Sequence, residues 1–66
     1  MKTGNYFSKT LNCNVFLYIH NYNHFYCECD RCRKLLKTVY SVTPESDGLE
    51  YVYGPECVKF LQLTKI

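Results

Sequence analysis

Tryptophan is absent from this 66-residue chain, methionine occurs once, proline twice and glycine three times. Nothing in it repeats, and no low-complexity stretch or linker divides it, so it is read as one domain spanning residues 1–66. No run approaches the roughly 18–20 apolar residues of a membrane span. The opening Met1-Lys2-Thr3-Gly4-Asn5 leads into no signal-peptide core, so the expected compartment is the reducing cytoplasm and no membrane partner is expected. Neither sign of charge dominates. The formal balance of +2 is mild beside that of many nucleic-acid binders, and it neither demands nor excludes a polyanion. A glycine-rich phosphate loop is missing, and no Ser/His/Asp set suggests nucleophilic catalysis.

What the chain does have is cysteine, tyrosine and phenylalanine: five, seven and four residues. Below roughly 70–80 residues a hydrophobic core seldom suffices alone, and natural domains add disulfides, a metal or a partner. An odd number of cysteines in a reducing compartment points to metal rather than to a full set of bridges. Cys29 and Cys32 stand at the C-x₂-C spacing common in closed tetrahedral zinc sites, and Cys57 follows after a length that a hairpin can close. The fourth donor is open among four residues. Cys27 comes first, because side chains two apart share one side of an extended strand. His24, His20 and Cys13 are the others. Thiolates around Zn²⁺ leave a local charge of about −2 with four cysteines, or about −1 with three and a neutral His.

Along the chain, residues 1–12 lack a clear period and are expected to be poorly ordered, with Tyr6, Phe7 and Leu11 as anchors. Val15-Phe16-Leu17-Tyr18-Ile19 reads as a strand. Asn21-Tyr22-Asn23 then turns the chain, and His24–Cys29 returns as the second strand of a hairpin. Residues 35–53 read as a second hairpin around the turn formers Thr43–Gly48, with Leu36, Thr38, Tyr40 and Val42 as its better core face. Pro55 suits the first turn of a helix, and Val58 and Leu61 follow helical spacing. A helix is therefore expected from Gly54 or Pro55 to the carboxyl end, its positive end lowering the pKa of the Cys57 thiol. The expected fold class is α+β: two β-hairpins, a zinc knuckle and a C-terminal helix.

That order of parts resembles the treble-clef group of zinc-binding folds. More narrowly, Cys29-Asp30-Arg31-Cys32-Arg33-Lys34-Leu35, Tyr40, and Tyr53-Gly54-Pro55-Glu56-Cys57 with Lys59 are similar to small zinc-ribbon-like proteins of bacteriophages and mobile elements. The pattern there is C-x₂-C-[GR]-[KR]-x-[IL], a hairpin, then [YG]-G-x-[DEV]-C-x-K, and the resemblance covers residues 27–63. Arg33 departs from it, since glycine is commoner at that position and tolerates positive φ. The resemblance implies a phage-type factor acting in a host cytoplasm.

Thiolate-rich zinc sites are mostly structural, so the expected role is binding and not catalysis. The abundance of tyrosine favours a protein partner, either a host protein or a second copy in a homodimer. The alternative is nucleic acid held by Arg31, Arg33, Lys34, Lys37 and Lys59. Glu28, Asp30 and Glu56 interrupt that basic patch.

Overall fold

The longest alternating stretch of the chain becomes the middle strand of a five-stranded antiparallel sheet in the computed structural model, which describes residues 2–66. The strands are β1 (Gly4–Ser8), β2 (Cys13–Asn21), β3 (Cys27–Glu28), β4 (Leu35–Leu36), β5 (Thr38–Pro44), β6 (Tyr51–Tyr53) and β7 (Leu63–Lys65). A 3-10 helix, Cys57–Leu61, precedes β7. The main sheet runs in the order β6-β5-β2-β1-β7, while β3 and β4 form a separate two-stranded ladder between β2 and β5 in the chain.

Alternation sets the register. Tyr6 stands opposite Val15, and Leu17 opposite Val42. These four are buried on one face, and Val58 and Leu61 of the 3-10 helix complete the same core. Each such side chain contributes roughly 1.5–3 kcal/mol on burial, so a core this small benefits from a further staple. β5 is buried on both faces, since Val39 and Ser41 are as enclosed as Val42.

The fold is nearly all β, and the expected α+β, treble-clef-like architecture does not form. Val58 and Leu61 do pack inward, but the helical segment ends after five residues at Gln62, which is left-handed with φ 52°. The carbonyls a longer helix would use are taken by the β1–β2 connection. Ser8 Oγ donates to the Leu61 carbonyl at 2.7 Å, Thr10 Oγ1 to that of Phe60 at 2.6 Å, and the Lys9 N–H to that of Gln62 at 3.3 Å. Residues 63–65 then pair with β1 as an edge strand.

The first expected hairpin is also corrected. β2 pairs with β1 and β5, and the returning segment contributes only β3, whose partner is β4. Residues 4–8, expected to be poorly ordered, form β1 within the main sheet; Met1 lies outside the described residues. The second hairpin forms as β5 and β6, with Tyr40 opposite Tyr53. Among the described residues, no helix is long and apolar enough to cross a membrane.

Candidate metal centre

The loop between β3 and β4 is a tight knuckle because two backbone hydrogen bonds close it. The Arg33 N–H donates to the Cys29 carbonyl at 2.9 Å, and the Cys29 N–H to the Lys34 carbonyl at 3.0 Å. Arg33 takes the left-handed conformation at φ 65°, the backbone state for which glycine is usual there. Its guanidinium swings out to Glu28, 2.8 Å away, in a pair so exposed that it adds little stability.

Asp30 fixes the knuckle to the main sheet. Its N–H donates to the Val52 carbonyl at 2.7 Å, and its carboxylate accepts the Val52 N–H at 2.8 Å. That clamp sets the knuckle beside the segment following β6, where Gly54 and Cys57 lie. A side chain at Gly54 would run into Leu36, so glycine permits the close approach.

As a result, the sulfurs of Cys29, Cys32 and Cys57 all lie within 4.8 Å of one another. Zinc–sulfur bonds of about 2.3 Å in a tetrahedron require sulfurs roughly 3.8 Å apart, so the donors fit such an ion after a small contraction. All five cysteines are free thiols. Cys29 and Cys57 are buried, and Cys32 is exposed.

Burial pushes the Cys29 thiol up, but hydrogen bonds from the backbone N–H groups of Cys32, Gly54 and Arg31, and from the Cys32 thiol, outweigh it and bring its pKa down to about 6. The Gly54 donor is 3.3 Å from the sulfur. This is thiolate stabilisation by aimed dipoles, and it suits a metal ligand. Cys57 does not follow the expectation of a lowered pKa. No α-helix begins there, and burial pushes its thiol up, reinforced by hydrogen bonding with Cys32 and Cys29.

Arg31 works against that rise. Its Nη1 lies 3.9 Å from the Cys57 sulfur, and its guanidinium stacks on Phe60, 3.7 Å from the ring centre. Arg31, expected from the sequence as part of a basic patch, lies against the cysteine cluster. No sequence signal distinguished it from its basic neighbours, and none marked Asp30 as the clamp.

The remaining predicted donors fall elsewhere. Cys27 stands opposite Leu36 in β3, and its sulfur is outside the cluster, because β3 ends at Glu28 and the extended alternation stops before Cys29. His20 is stacked against Tyr22 on β2, His24 is exposed in the β2–β3 connection, and the Cys13 sulfur is 3.6 Å from Ser46 Oγ. Of the other basic residues, Lys59 pairs with Glu56 at 3.4 Å, and the Lys37 ammonium lies 5.6 Å from the centre of the Tyr26 ring.

Fold and site together define a small, nearly all-β domain carrying a three-cysteine candidate metal centre. Comparison with protein-family models, with curated proteins and with solved structures finds no match.

Proposed function

We propose that this chain is a small module folded around a structural zinc ion, and that its task is to bind a protein partner rather than to catalyse a reaction. The observation that carries the metal reading is the convergence of Cys29, Cys32 and Cys57 from two separate parts of the chain. A donor set of sulfurs favours zinc over hard cations. The nearby carboxylates Glu28 and Glu56 make exposed surface pairs with Arg33 and Lys59. Metal content measured on the purified protein tests the reading, with one zinc per chain expected.

Support for a protein partner comes from β2 and the connection after it. Tyr18, His20, Tyr22 and Phe25 form a run of contacting rings, with successive centroids 4.7, 5.9 and 4.6 Å apart. Tyr18 and Phe25 are exposed, as are Phe16 and Tyr26. Aromatic groups held against one another offer interface area at little cost in side-chain entropy. A host protein or a second copy both suit such a surface.

Nucleic acid is the second reading, favoured by the same rings as a stacking platform for unpaired bases. Of the cations expected to serve it, Arg31 faces Cys57 and Phe60, while Arg33 and Lys59 make exposed pairs with Glu28 and Glu56. Lys34 and Lys37 remain for phosphates. On this reading a single-stranded oligonucleotide binds in a salt-dependent way, and the Lys34→Glu, Lys37→Glu double variant abolishes binding. Unchanged binding by that variant excludes the basic patch.

A further inference from the structure

We infer that the metal centre takes its fourth ligand from outside the chain, as a thiolate entering through the cleft beside Cys32 and Cys57. The inference rests on the metal reading above. Three cysteines leave a tetrahedral ion one donor short, and among the described residues no other Cys, His, Asp or Glu joins the cluster. The Asp30 carboxylate accepts the Val52 N–H, Glu56 pairs with Lys59 at the surface, and Cys27 lies in β3 with its sulfur outside the cluster.

The cleft is about 440 Å³, large enough for a small organic ligand or a side chain, and Cys32 and Cys57 both line it. Arg31, Lys34, Glu56 and Phe60 line it too. Lys34 has no carboxylate partner among the described residues, and Arg31 already faces sulfur. The two cations outnumber the one lining carboxylate, so the cleft favours an anionic donor. The apolar wall of Phe60, exposed over 58% of its surface, accommodates the carbon skeleton of that donor. Sulfur matches the softness of the existing set. On coordination the incoming thiol releases its proton to solvent and nothing is oxidised or reduced.

The test uses the full chain loaded with Co²⁺, whose visible absorption reports the number and kind of donors. Addition of 2-mercaptoethanol should shift the ligand-field bands and raise the sulfur charge-transfer intensity, saturating at one thiol per metal. Cys27→Ser should respond like the parent chain, and Lys34→Ala should need roughly fivefold more thiol. Bands that depend on protein concentration before any thiol is added would assign the thiolate to a second copy of the chain, still an external donor. The inference is overturned by bands indifferent to thiol and to protein concentration, and equally by thiol-free bands, independent of protein concentration, that change when Cys27 or Glu56 is substituted. Failure to bind Co²⁺ at all would instead overturn the metal reading, so the two failures are distinct.

Discussion

Arg33 occupies a position where backbone geometry, not side-chain chemistry, sets the energetic cost. At φ 65° a β-branched residue crowds its own backbone and glycine does not. Arg33→Val is therefore expected to be about 1–2 kcal/mol less stable than Arg33→Gly. Both variants lose the exposed Glu28 pair, which cancels in the comparison, and paired thermal melts check the difference. Ser8 is a second single-residue test. Its fully buried hydroxyl donates to the Leu61 carbonyl and accepts the Leu11 N–H at 3.1 Å. Ser8→Ala removes the partner of the Leu11 N–H and leaves the Leu61 carbonyl only the longer bond from the Thr10 N–H at 3.4 Å, and should cost about 1–3 kcal/mol in denaturant unfolding. A loss within error of zero would mean that the Ser8 contacts do not hold the 3-10 helix against β1.

At the scale of elements, the turn between β5 and β6 is organised by Asp47. Its carboxylate accepts the Leu49 N–H at 2.9 Å and the Tyr51 hydroxyl at 2.8 Å. Those two bonds hold its pKa below the usual carboxylate value. A depressed folded-state pKa contributes stability above the unfolded value of about 3.9, and that contribution disappears as pH falls through the folded value. Acid titration followed by NMR should thus show Leu49 and Tyr51 shifting together at low pH, and Asp47→Asn should remove the transition.

The same turn was legible in the sequence because Pro44, Asp47 and Gly48 punctuate it. So was the knuckle, through the Cys29-x-x-Cys32 spacing. β1 and β7 were not. They are short strands, β7 at the sheet edge and β1 beside it, in which Asn5, Ser8 and Lys65 carry no strong strand preference, and only pairing in the folded sheet defines them. The connection between β1 and β2 left one faint mark, Asn12, which is left-handed at φ 55°. The carboxyl-terminal segment misled for a different reason. Val58 and Leu61 have helical spacing over a single turn, and what ends the helix is the capture of its carbonyls by residues distant in sequence. For the centre, the three cysteines could be read from their spacing, but the roles of Arg31 and Asp30 arise only from tertiary placement.

For the whole molecule the question is what compensates for so small a core. Six buried side chains hold the sheet and the 3-10 helix together, and the knuckle joins them through Asp30 and the cysteine cluster. Structural zinc contributes about 10–16 kcal/mol in small domains, comparable with the about 5–15 kcal/mol of total stability of ordinary ones. Losing the ion should therefore unfold the chain rather than loosen one loop. Cys29→Ser should abolish the cooperative transition, whereas Cys13→Ser, remote from the cluster, should keep it. The most direct measurement is zinc content by native mass spectrometry, paired with thermal melting before and after chelation. The account predicts one zinc per chain and a cooperative transition that vanishes when the metal is withdrawn. A metal-free chain that melts cooperatively at the same temperature would contradict it.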